Sequence, residues 1–208
     1  MLTLISVALI GYLLGSFPAG YIAGRIAGID IRNAGSGNIG ATNVLRVLGK
    51  PFGYAVFLVD FIKGIGAVVL STFIAQNGRP SESIVEFCGT LSGVCCVIGH
   101  VYPVWLRFRG GKGVATSIGV LFGLVPIAAL VMSTVWIVTF EITRYVSVAS
   151  ITAALTLPIT VGAMFWFKYL NTPVLFYFSL CLAAVVVVRH RSNISRLRTG
   201  TEPRFVRK

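Results

Sequence analysis

Acidic residues are scarce: the chain has six Asp and Glu in 208 residues, against eighteen Lys and Arg. So few carboxylates exclude a centre built from several aspartates, such as that of a metal-dependent phosphatidyltransferase. No acidic pair has metal-ligand spacing, and no metal site or cofactor is expected. Charge of either sign is also low. Only 12% of residues are charged, about half the ~25% of a soluble domain. With 56% hydrophobic residues and a mean hydropathy of +0.87, a soluble globular fold is excluded. Cysteine is limited to Cys88, Cys95, Cys96 and Cys181, all inside apolar runs. Cys96 and His100 stand four apart on a possible helix, but two ligands make no metal site, so the thiols read as buried and inert. There is no soluble linker, no low-complexity tract and no internal repeat.

What is present is a series of long apolar runs, several of them near the roughly 18 residues that cross a bilayer. The first begins at Leu2 without a basic leader and is too long for a cleaved signal peptide, so it reads as a retained span. The net charge of +12 would suggest nucleic acid in a soluble protein. Here it reads as sidedness, because cytoplasmic loops collect Lys and Arg, and no nucleic-acid partner is expected.

Spans are expected at about 2–24, 51–76, 84–106, 146–167 and 173–188. The run 113–142 is long for one crossing and short for two, and Gly123 and Pro126 break its middle. Charge parity decides the count. Basic residues gather at 25–50, at 107–112 and after 188, while the 77–83 loop has only Arg79. One crossing over 113–142 gives six spans and puts the most basic segment, the tail, outside. Two crossings, at 113–125 and 126–142, return the tail to the cytoplasm. Fifteen basic residues then lie inside, Arg79 and Lys168 outside, and Lys63 within a span. The expected fold is therefore an all-α integral membrane protein of one domain, 1–208. It has seven transmembrane helices (the fourth and fifth short), with the amino terminus outside and the carboxyl terminus cytoplasmic. A re-entrant pair over 113–142 would satisfy the same parity.

Three polar segments then share one face: RNAGSGNIGATNVLR at 32–46, GHVYPVWLRFRGGKGVATS at 99–117 and RHRSNISRLRTG at 189–200. Glycines such as Gly37, Gly111 and Gly113 let backbone N–H groups converge on an anion. Ser36, Asn38, Thr42 and Asn43 add short neutral donors, and Arg46 and Lys112 add charge. Helices starting after Gly40 and Gly113 would aim their positive ends at the same place. Such equipment suits a phosphate. GGKG is not a nucleotide P-loop, which needs Ser or Thr where Gly113 stands. Asp60 and Lys63, in VDFIKG, are intramembrane charges three apart. They read either as an ion pair fixing helix packing or as added positive potential for a phosphate site. His190 could bind phosphate, act as a base, or simply face the interface, and His100 could cap a helix end. The His-x4-Asp arrangement of common glycerolipid acyltransferases is absent, since no Asp follows His100 at that spacing.

Taken together and in order, GSGNIGATN with Arg46, VDFIKG, GHVYPVWLRFRGGKGVAT and RHRSNISRL resemble the motifs of the bacterial acyl-phosphate:glycerol-3-phosphate acyltransferases, the PlsY family, over most of the chain. The resemblance implies a multi-pass enzyme of the bacterial inner (plasma) membrane with its active site toward the cytoplasm. It implies acyl transfer from acyl phosphate to the sn-1 hydroxyl of glycerol 3-phosphate, giving lysophosphatidic acid and phosphate, the first step of phospholipid synthesis. Neither acyl-CoA nor acyl-carrier protein would be the direct donor. The family pattern implicates Ser36, Asn38, Arg46, Lys112, Ser150, His190 and Asn193, with Asp60, Lys63 and His100 in support. The partners would be the two substrates, the lipid bilayer and a soluble enzyme that makes acyl phosphate. Either His190 or the leaving phosphate would take the hydroxyl proton. The rival reading is a transporter or flippase for a phosphate-bearing lipid or anion, whose broken helices and basic cavity would look similar.

Overall fold

Pro18 divides the first apolar run. Proline lacks an N–H and clashes with the preceding turn, so the helix over Leu2–Ser16 (α1) stops and a second begins at Ala19–Ile26 (α2). The span expected at 2–24 is present as Leu2–Ile26, with a break inside it that the run of apolar residues on both sides does not signal. The structure is a computed structural model that describes residues 1–77, 80–170 and 172–205. Arg79, Arg207 and Lys208, which entered the charge count, lie outside the described residues.

Among the described residues every regular element is helical. After α2 come Ala41–Leu48 (α3), Lys50–Gln76 (α4), Glu82–Val101 (α5), Val114–Leu124 (α6), Pro126–Thr143 (α7), Val146–Trp166 (α8), Val174–Arg189 (α9) and Arg191–Arg198 (α10). Five stretches are long and apolar enough to cross a bilayer: Leu2–Ile26, Lys50–Gln76, Glu82–Leu106, Pro126–Thr143 and Val146–Trp166. The pair α9 and α10, bent by 54°, makes a sixth if counted as one span. The fold is thus all-helical and multi-pass. A seventh crossing would fall to α6, whose eleven residues cover only about 16 Å, roughly half of a ~30 Å hydrocarbon core. The stretch expected as a short fifth span, α7, has eighteen residues and is long enough.

The chain folds as two compact units, 1–124 and 125–208. In the first unit, α1 packs on α5, and α4 packs on α5 and α6. Small residues let the backbones touch. A Cβ on Gly15 would strike the Cys96 backbone of α5, and one on Gly119 would strike the Phe61 carbonyl of α4. Close small-residue contact is how helices associate where lipid removes the hydrophobic drive. The polarity is inverted relative to a soluble bundle. Ser92, Asp60, Lys63 and His100 are buried, while Phe57, Ile62, Val69 and Phe73 of α4 face outward. In the second unit α7 packs on α8 and α8 on α9.

Candidate functional site

The first unit presents the glycine-rich segment as a folded loop. Gly35 and Gly37 take positive φ (59° and 70°), which glycine adopts without strain. Asn43, at the start of α3, organises the loop. Its Oδ1 accepts from Ser36 N at 2.8 Å, and its Nδ2 donates to Ala34 O at 3.0 Å and Asn38 O at 2.8 Å. The Asn38 side chain accepts from Gly40 N at 2.8 Å. This leaves Ser36 exposed at the bend and Arg46 exposed on α3, with Thr42 half-buried. Asn43 is buried with its carboxamide bonded to the loop, so it shapes the cradle rather than lining it.

The second segment leaves α5 at Val101 and turns back on itself. Gly110 N donates to Val101 O at 3.0 Å and Gly111 N to His100 O at 3.1 Å. Gly113 has φ of 84° and starts α6, with Ser117 N donating to Gly113 O at 2.7 Å. Lys112 is half-buried between the two glycines. Leu106 belongs to the same buried apolar cluster as Ile31, Ile39 and Val44, so the first and second polar segments are built on one piece of core.

Beneath the second segment lies a buried charged group. Lys63 Nζ donates to Asp60 Oδ1 at 2.7 Å, to Phe17 O at 3.0 Å and to His100 Nδ1 at 2.9 Å. The Phe17 carbonyl is one that the Pro18 break withdraws from the α1 ladder. Nδ1 of His100 thus faces both Lys63 Nζ and Asp60 Oδ1, at 2.9 and 3.4 Å, and Nε2 lies on the opposite edge of the ring. That edge lies against Gly111, where a Cβ would overlap the imidazole. Of the two sequence readings of Asp60 and Lys63, the geometry gives the ion pair, and adds that it fixes the ring supporting the glycine turn.

The second unit holds His190, Asn193 and Ser150. His190 is the buried residue at the bend between α9 and α10, and its Nδ1 lies 2.8 Å from Val186 O. A carbonyl only accepts, so Nδ1 carries a proton, and in the neutral ring Nε2 holds the lone pair. Asn193 Nδ2 donates to Glu202 Oε1 at 2.7 Å. Glu202 also accepts from Ser147 Oγ and from Arg196 Nε, each at 2.7 Å. Burial opposes the charge of Glu202, but these three donors outweigh it and hold the carboxyl below its ordinary range. Ser150 Oγ donates to Val146 O at 2.8 Å and accepts from Trp136 Nε1 at 3.1 Å.

Sequence reasoning overlooked Glu202. Its signal was available, because it is the lone acid in the basic tail after 188. It also overlooked the role of Asn43 and the break at Pro18. Among the described residues no three His, Cys, Asp or Glu gather into a group able to hold a metal ion.

The family profile described as Glycerol-3-phosphate acyltransferase matches residues 5–200. A curated glycerol-3-phosphate acyltransferase of Synechococcus elongatus is 44% identical over 206 residues, 99% of this chain and 96% of that protein. Its counterpart from Aquifex aeolicus is 44% identical over 195 residues, 93% of this chain and 95% of that one. The crystal structure of PlsY, an integral membrane glycerol 3-phosphate acyltransferase, in its glycerol 3-phosphate form is 40% identical. It superposes with a TM-score of 0.84, covering 98% of this chain and 96% of that one. The lysophosphatidic acid form gives 0.81 at 39% identity, over 98% and 95%.

Proposed function

This chain belongs to the glycerol-3-phosphate acyltransferase family, and from that premise we propose how its residues carry out the reaction. It is a multi-pass membrane enzyme that transfers a fatty acyl group to the sn-1 hydroxyl of glycerol 3-phosphate, giving lysophosphatidic acid. The finer reading is that the donor is an acyl phosphate, without acyl-CoA or metal, at the cytoplasmic face of the inner membrane.

The hydroxyl oxygen attacks the acyl carbonyl carbon, the bond from that carbon to the phosphate oxygen breaks, and inorganic phosphate leaves. Two anionic phosphates must lie near one carbonyl, and cations between them offset their repulsion. Lys112 and Arg46 supply that charge. Ser36, Asn38, Thr42 and the N–H groups around Gly37, Gly111 and Gly113 donate to phosphate and to the developing oxyanion. The single observation that carries the proton step is the His190–Val186 hydrogen bond. It supports a neutral ring protonated on Nδ1, in which Nε2 takes the hydroxyl proton as general base. Asn193 and Ser150 complete this half of the machinery, Asn193 held by Glu202. Asp60, Lys63 and His100 act through the Gly110–Gly111 turn and are positioning residues.

The seven-span topology belongs to the same proposal. Counted as a crossing, the short α6 together with α7 returns the chain to the face of the glycine loops and so keeps the basic tail there, in accord with the distribution of Lys and Arg. The functional test uses the purified chain in sealed vesicles with a long-chain acyl phosphate and labelled glycerol 3-phosphate. Lysophosphatidic acid forms in the presence of a chelator and without coenzyme A. Accumulation of unmodified label in the lumen, with no product, would instead establish the transporter reading.

A further inference from the structure

A basic cavity is lined by side chains to which acyl transfer assigns no role. It measures about 550 Å³ and is lined by Tyr21, Arg32, Trp105, Leu106, Arg107 and Arg109. One of its guanidinium groups is fixed. Arg32 bonds Asp30 through Nε at 2.9 Å and through its terminal nitrogen at 2.6 Å, and lies over the Tyr21 ring at 4.8 Å. These hydrogen bonds hold Asp30 ionised, with its pKa lowered to about 2. The other two are unengaged: neither the Arg107 nor the Arg109 guanidinium makes a hydrogen bond or ion pair among the described residues.

The backbone that presents them is unusual. Arg107 and Phe108 are consecutive non-glycine residues at φ of 52° and 61°. Such residues persist only where their surroundings enforce them. Here they do. Phe108 N donates to Pro103 O at 3.0 Å, Arg109 N to Leu106 O at 3.1 Å, and Leu106 is buried in the apolar core. The turn splits RFR by side-chain type. Arg107 and Arg109 line the cavity and Phe108 is 58% exposed. Trp105 at the cavity, and Tyr102 just before it in the chain, are exposed too. Aromatics of this kind mark the headgroup level of a bilayer, and guanidinium groups grip phosphate oxygens in pairs.

We propose that this cavity holds the phosphate of an anionic membrane lipid, as a site separate from the one that binds glycerol 3-phosphate. A free phosphate or the acyl phosphate donor offers similar chemistry, but the aromatic rim argues for a ligand already in the bilayer. The test is native mass spectrometry of the full-length chain in neutral detergent, titrated with phosphatidylglycerol or phosphatidylcholine. Arg107→Asn with Arg109→Gln removes both free cations, and Asn tolerates the positive φ. Arg109→Gln alone leaves the turn untouched, and Arg198→Gln, at an exposed arginine that does not line the cavity, is the control. The expected result is preference for phosphatidylglycerol. Its affinity falls roughly fivefold in the single variant and roughly 25-fold in the double, and stays unchanged in the control. The KM for glycerol 3-phosphate stays at its original value in both variants. Unchanged lipid affinity in Arg109→Gln would overturn the proposal even if the double variant did not fold. Displacement of the lipid by equimolar inorganic phosphate or by a non-hydrolysable acyl phosphonate would overturn it too. So would a KM that rises in step with the lost affinity.

Discussion

At the scale of single residues, the decisive features are which atom of each ring carries the proton and which acceptors hold each donor. His190 Nδ1 is held by the Val186 carbonyl, and the proposed mechanism uses Nε2 as the base. Replacement by Ala or by Gln removes that base. Both are expected to lower kcat by roughly 10²–10⁴-fold with little change in KM, measured at saturating substrates. A mainly raised KM would make the residue a binding group instead. Glu202 is the corresponding anchor for Asn193. Its folded pKa lies below the ordinary 4.5, so the stability it contributes is fully present above that value. That contribution is lost as pH falls through the folded pKa. Glu202→Gln, which keeps the shape but loses the charge, is expected to destabilise the chain by about 1–3 kcal/mol at neutral pH. Its melting temperature should converge with the wild type only as the pH falls below the folded pKa of Glu202, which lies under 4.5.

At the scale of elements, glycines decide how closely things approach, and two positions test this. A methyl group at Gly111 would enter the His100 ring. Gly111→Ala should therefore shift the turn that carries Lys112, raise the KM for glycerol 3-phosphate and destabilise the chain by about 1–3 kcal/mol. The ring itself is clamped by Lys63, so Lys63→Met should reproduce the KM effect. It should also destabilise the chain by roughly 3–5 kcal/mol, because it leaves Asp60 buried without its partner. The loop at 35–43 was legible in the sequence because glycine, asparagine and serine have few other uses between apolar runs. The apolar helices were legible by length. What could not be read were contacts between distant positions. Glu202 meets Ser147 across fifty-five residues. Lys63 reaches a carbonyl freed by a proline forty-five residues earlier. The left-handed turn at Arg107 and Phe108 has no sequence signal, because neither residue favours that conformation. Hydropathy with Gly123 and Pro126 also gave α6 and α7 their bounds to within a residue at each end.

At the scale of the whole molecule, the fold is a membrane enzyme whose lipid-facing surface is apolar and whose interior carries the charge. The proposed sidedness makes a direct prediction. In a background with Cys88, Cys95, Cys96 and Cys181 replaced by serine, a cysteine at Thr3 should react with an impermeant maleimide added outside intact cells. One at Ser195 should react only after the membrane is opened. The central claim is that a metal-free cradle of glycine amides and cations brings a lipid phosphate and glycerol 3-phosphate to one carbonyl. The measurement that tests it most directly is kcat/KM for acyl phosphate and glycerol 3-phosphate in chelator, wild type against Lys112→Ala. A fall of at least about a hundredfold is predicted, as for loss of a charged oxyanion donor. Full activity in Lys112→Ala would contradict the account.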